Sequence, residues 1–81
     1  MAKNEIIRKV NTILVDELGV ESKYITPDAS LENDLGADSL DEWEIMIELE
    51  KEFGIDVPGN EMDGLRSCKV KDIYEFVENK L

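Results

Sequence analysis

The sequence predicts an all-α fold, a small bundle of three main helices with a short extra helix and a long first loop. Three observations carry this. Apolar residues recur at helical spacing in three separate segments. No segment alternates apolar and polar residues as a half-buried strand would. Glycine follows two of the helical segments, where a left-handed cap would end them. The chain has 81 residues, which is read as one domain over 1–81. A chain this short buries only about 60% of its unfolded surface, so its core is thin.

The first helix is expected over Lys3 to Leu18. Ile6, Ile7, Val10, Ile13, Leu14 and Leu18 form its apolar stripe, with Val15 off it, and Gly19 follows. Glu21 to Ala37 holds no sustained period. Pro27, Gly36 and scattered Asp, Ser and Asn mark it as a loop, which Tyr24, Ile25, Leu31 and Leu35 are expected to pin to the core. A loop of this length in a compact fold is often functional. The second helix is expected from Ser39 to Phe53, stopped by Gly54 and then Pro58. A short helical turn is expected near Glu61 to Leu65. The last helix runs from Val70 to about Asn79, with Val70, Ile73, Tyr74 and Val77 on one face and Ser67 or a neighbour as its cap.

Composition narrows the function. There are 20 Asp and Glu against 9 Lys and Arg, a net charge of −11. Such a chain repels phosphate backbones and anionic membranes, so nucleic acid is excluded as a partner and basic protein surfaces are favoured. With no His and a single Cys, Cys68, neither an imidazole base nor a His or thiolate metal cluster is expected, and no intramolecular disulfide can form. No signal peptide or membrane span is read. A small fold without covalent staples fits a reducing, cytoplasmic compartment.

The second helix carries two apolar stripes. At about 100° per residue, Ile45, Met46, Leu49 and Phe53 fall within one arc and make a core face. Leu40, Trp43 and Ile47 form a second stripe, roughly opposite, edged by Asp41, Glu44, Glu48 and Glu50. One reading makes the helix central and packed on both sides. The other makes the second stripe an exposed ridge for a basic, apolar-floored groove on a partner, with Trp43 as anchor.

Ser39 stands where loop becomes helix. Two capping boxes compete there: Ser39 with Glu42, or Asp38 with Asp41. If Asp38 caps, the Ser39 hydroxyl is free at a helix start, where a phosphate attached to it would be favoured. Ser39 is not read as a catalytic nucleophile, because no His stands by and the nearby carboxylates would raise its pKa. It reads as an acceptor that another enzyme modifies, and no catalytic residue is assigned.

The run Asp34-Leu35-Gly36-Ala37-Asp38-Ser39-Leu40-Asp41 resembles the attachment motif of acyl carrier proteins, and Glu44 to Pro58 resembles their second helix and its exit. The resemblance covers nearly the whole chain. It implies that Ser39, flanked by Asp38 and Leu40, carries 4′-phosphopantetheine, attached from coenzyme A by a phosphopantetheinyl transferase. The arm's thiol would hold acyl groups as thioesters. The protein would be no enzyme but a monomeric carrier, presenting intermediates to enzymes of fatty-acid, polyketide-like or related lipid synthesis. Leu40, Asp41, Trp43, Glu44, Ile47, Glu48 and Glu50 would meet basic partner surfaces. Ile45, Met46, Leu49 and Phe53 would line the core that admits the acyl chain.

Some residues depart from the family pattern. Trp43 replaces a small aliphatic residue, Lys51 stands where an acid is common, and the stretch from Pro58 to Val70 is about two residues longer. These departures point to a specialised carrier rather than a housekeeping one. Three rivals are weighed. A calcium loop fails, because position six is Ser39 when counted from Asp34 and Asn33 when counted from Asp28. An unmodified adaptor has no need of the Ser39 hydroxyl. An aminoacyl or D-alanyl carrier would usually have Gly-Gly ahead of the serine, where this chain has Gly36-Ala37.

Overall fold

The computed structural model describes residues 2–65 and 68–81. Along them run α1 (Lys3–Leu18), a 3-10 turn (Ser22–Tyr24), α2 (Ser39–Phe53), α3 (Gly59–Gly64) and α4 (Val70–Lys80). This is the all-α architecture expected from periodicity, three long helices and one short. Among the described residues no β-strand forms; an isolated antiparallel bridge joins Ser30 and Lys69. Helix α3 begins at Gly59, two residues ahead of the expected Glu61.

The ends of α1 and α2 follow from their glycines. Gly19 (φ 66°) and Gly54 (φ 65°) are left-handed, and their N–H groups close on Val15 and Glu50 carbonyls. A side chain at either position would be strained. Between the helices, α1 packs against both α2 and α4. Ile6, Val10 and Leu14 of α1 meet Ile45, Met46 and Leu49 of α2 and Val70, Ile73 and Val77 of α4 in one buried cluster. Val15, off the main stripe, packs against that cluster's edge. Removing a large side chain from such a core costs about 2–5 kcal/mol.

The long loop is ordered by the first turn of α4. That turn has backbone N–H groups with no partner inside the helix. Val70 N–H donates to the Ala29 carbonyl at 2.9 Å and Lys71 N–H to the Pro27 carbonyl at 2.9 Å. In return, Leu31 N–H donates to the Cys68 carbonyl at 3.1 Å. Asp34 closes the next turn by accepting the Ser30 N–H at 2.7 Å. Ile25, Ala29, Leu31, Leu35 and Ala37 are all buried. Tyr24 is not the pin it was expected to be. It sits on the 3-10 turn, 56% exposed, with the Lys23 ammonium 5.3 Å from its ring centre. The expected cap Ser67 lies outside the described residues. Lys69 occupies the N-cap position of α4, its N–H donating to Asp72 at 3.0 Å.

Candidate functional site

Ser39 is the first residue of α2 and is exposed. Asp38 caps the helix. Its Oδ1 accepts the Asp41 N–H at 2.8 Å, and Asp41 Oδ2 accepts the Asp38 N–H at 3.1 Å. Of the two boxes the sequence allows, the Asp38–Asp41 box forms and the Ser39–Glu42 box does not. The reason lies in Glu42, which is 4% exposed. It stands three, four and seven residues ahead of Ile45, Met46 and Leu49, on their face of the helix, and points inward rather than back toward the cap. The Ser39 hydroxyl is therefore outside the capping bonds.

This arrangement fits a phosphodiester on Ser39. The N–H groups of Ser39 and Leu40, the first two of the helix, lie outside the box, at the end that carries about half a positive charge. Asp38 and Asp41 oppose an anion there, but each commits one oxygen to a backbone N–H. The φ of Gly36, 72°, turns the chain into this approach.

A cavity of about 270 Å³ opens beside the serine. Ser39, Glu42, Trp43 and Met46 line it from α2; Met62 of α3 and Leu65 just beyond it line the facing side. Of the four residues expected to surround an acyl chain, Met46 lines this cavity. Ile45, Leu49 and Phe53 are buried in the core cluster instead. Glu42 entered the sequence reading only as a capping partner. Its place in the apolar stripe was the signal that it belongs to the cavity wall.

The second stripe of α2 lies at the surface. Leu40 is 60% exposed and Trp43 52%, while Ile47 is half-buried. Its acidic edges differ among themselves. Glu44 is exposed. Glu48 is half-buried and 3.7 Å from the Lys51 ammonium. Asp41 serves the cap. Glu50 is half-buried and accepts the Val57 N–H at 2.8 Å, which anchors the chain as it leaves α2. At the end of α1, the Glu17 carboxyl is held above its ordinary value of 4.5. Partial desolvation is the main cause, followed by a hydrogen bond with Glu44 and the charges of Glu44, Glu48 and Asp16. Two of those charges, Glu44 and Glu48, come from α2. Cys68 is buried, and burial with the Asp72 and Glu42 charges pushes its thiol up to about 12. It is a core residue, not a nucleophile at neutral pH.

Among the described residues, no cluster of three or more His, Cys, Asp or Glu is placed to hold a metal. Nor is any helix long and apolar enough to cross a membrane. The fold and its site together define a class: a small, acidic helical bundle that presents an exposed serine at a helix start.

The family model described as the phosphopantetheine attachment site matches residues 8–76, and the chain belongs to that family. Curated relatives agree along nearly the whole chain. It is 41% identical to an acyl carrier protein of Thermosynechococcus vestitus over 81 residues, all of this chain and 98% of the relative. It is 46% identical to one of Akkermansia muciniphila over 78 residues, 96% and 95% of the two chains. A third, from Solidesulfovibrio magneticus, is 41% identical over 75 residues, 93% and 94% of the two. The protein is an acyl carrier rather than a catalyst, and its prosthetic group is covalently attached 4′-phosphopantetheine.

Proposed function

We propose that Ser39 is the attachment residue and that the protein serves fatty-acid or related lipid synthesis as a monomeric cytoplasmic carrier. The observation that carries this is the Asp38–Asp41 box, which caps α2 without the serine and leaves its hydroxyl exposed beside a cavity. Ser39 Oγ becomes the ester oxygen of the phosphodiester, and the Ser39 and Leu40 N–H groups face its charge. The bound group supplies a terminal thiol that holds acyl chains as thioesters.

Partner enzymes meet the ridge of Leu40, Trp43 and Ile47. Outside the buried Glu42, helix α2 sets Asp41, Glu44, Glu48, Glu50 and Glu52 against the single cation Lys51. Charge of one sign beside an exposed apolar ridge suits basic, apolar-floored grooves and speeds encounter. The transferase that loads Ser39 and the enzymes that use the acyl chain are the partners of this surface.

The experiment is intact-mass analysis after incubation with coenzyme A and a phosphopantetheinyl transferase. One arm should add, and Ser39→Ala should abolish the shift. An arm on Ser22, Ser30 or Ser67, or no shift with several transferases, refutes the assignment. An unmodified adaptor gives no shift, and an aminoacyl carrier purified from its own cells would bear an amino acid on the arm.

A further inference from the structure

Helix α3 is the element least able to stand alone. It has six residues, begins at Gly59 and ends at Gly64, and Pro58 gives it no side-chain cap. Isolated helices shorter than about 12–15 residues are marginal in water, and glycines lose the most backbone freedom on folding. The main helix packings join α1 to α2 and α1 to α4. Helix α3 adds Met62 at the edge of the core cluster, and Leu65 just beyond it is buried.

Its polar hold comes from the end of the chain. Lys80, the last residue of α4, places its ammonium 2.7 Å from Glu61 Oε2 and 3.1 Å from Oε1. The two side chains are 29% and 35% exposed. Glu61 Oε2 is closed off from solvent, so the ammonium rather than water meets its charge. One turn back on α4, the Phe76 ring centre lies 5.6 Å from the same ammonium and helps to hold it there. The other side of α3 faces α2: Met62, Asp63 and Leu65 stand across the cavity from Ser39 and Trp43.

We infer that Lys80 is a latch that keeps α3 closed beside Ser39 and Trp43. The inference rests on the geometry of α3 and α4 and not on what Ser39 carries. The two halves of the latch are unequal. Lys80 has a long stem at the end of the chain, and it can turn its ammonium to water when Glu61 is neutral. Glu61 has no such exit. Its Oε2 is closed off from solvent, and without the ammonium it regains water only when α3 moves away from α4. Loss of the lysine therefore opens α3, whereas loss of the carboxylate's charge does not. The last turn of the chain in this way sets how covered Trp43 is.

The test is native-state amide exchange on the full, unloaded chain. It is read at the Met62 and Leu65 N–H groups, which donate to the Pro58 and Met62 carbonyls. Lys80→Ala should speed exchange there severalfold, more than an exposed ion pair would give and less than a fully buried one. Exchange at Ile45 and Leu49 of α2 should not change. Glu61→Gln and Lys80→Arg should each leave α3 protected. Lys80→Ala combined with Glu61→Gln should return exchange close to wild type. Trp43, the only tryptophan, should be quenched more strongly by acrylamide in Lys80→Ala. Equal exchange, or equal quenching, in wild type and Lys80→Ala overturns the inference. Acceleration that reaches Ile45 and Leu49 equally also overturns it, because the whole fold has then weakened. A double variant as fast as Lys80→Ala does the same, since the stranded carboxylate is then not the cause. Opening of α3 in Glu61→Gln, a variant that keeps Lys80, would contradict the unequal halves directly. None of these measurements uses the arm, so the Ser39 assignment and the latch can fail separately.

Discussion

Replacing Asp38 by Ala should separate the residue that holds α2 from the residue that α2 presents. The substitution removes an acceptor 2.8 Å from the Asp41 N–H and leaves Asp41 without the ordered cap it bonds at 3.1 Å. Losing an N-cap costs about 1 kcal/mol, within a range of about 0.5–2. The site is exposed, so water can reach the freed N–H and the upper end of that range is not reached. For a chain of this length, 1 kcal/mol lowers the melting midpoint by about 4–8 °C. Ser39→Ala takes nothing from the box and places a better helix former in the first turn, so its stability change should stay within about 0.5 kcal/mol. Thermal and urea unfolding followed by far-ultraviolet circular dichroism measure both. Asp41→Ala and the double variant complete a cycle in which the double loss stays close to either single loss, because the two carboxylates act in one box. If Ser39→Ala destabilises by about 1 kcal/mol or more while Asp38→Ala is neutral, the serine is the cap after all. The Ser39 hydroxyl is then bound in the cap rather than free.

Trp43→Ala should cost about 1 kcal/mol of stability, well below the roughly 3–5 of a core tryptophan, but about 2 kcal/mol or more in transferase binding as a hot spot. Titration calorimetry beside urea unfolding would show whether the two costs divide this way. Reversing Glu44 and Glu48 to Lys should slow loading of Ser39 at low salt through weaker association. The difference from wild type should shrink as salt screens charges beyond about 8 Å; rates independent of salt in both proteins would refute charge-guided encounter. Cys68 should resist iodoacetamide at pH 8 in the folded protein and react only as fast as the chain unfolds. Its thiol is raised from 9.0 to about 12, so the unfolded chain releases this proton first. The stability that the neutral thiol contributes is complete below pH 9 and is lost as pH rises toward 12. Rapid labelling under native conditions would contradict its burial.

Periodicity made α1, α2 and α4 legible, because each buries one stripe against the others and each stripe repeats at helical spacing. The glycine stops were legible for the same local reason, since only a residue without Cβ enters the left-handed cap freely. Tyr24 misled because an aromatic residue in a loop reads as an anchor, whereas here Ile25, Ala29 and Leu31 fill the core and leave the ring outside. Sequence alone could not choose between the two capping boxes, which share one spacing. The choice depends on where Glu42 points, and that is settled by packing. Glu42 itself was readable in principle, since it opens the same series as Ile45, Met46 and Leu49. The S-x-x-E spacing from Ser39 assigned it instead to a capping box. The wheel also set Trp43 opposite the core, although it lies only about a quarter-turn away from the inward stripe. That difference brings its inner edge to the cavity.

The hydrogen bonds between the loop and α4 bear on when Ser39 becomes available. Pro27, Ala29 and Leu31 are held by Lys71, Val70 and Cys68, residues synthesised well after Ser39. Until they emerge, the approach to Ser39 lacks the backbone partners that order it, and non-local pairings of this kind form only after the intervening chain exists. Ribosome-bound chains stalled before Val70 has cleared the exit tunnel should not accept the arm, while released full-length chains should. In this way the last helix, which contributes no residue to the serine's own turn, governs the order of the loop that leads to it.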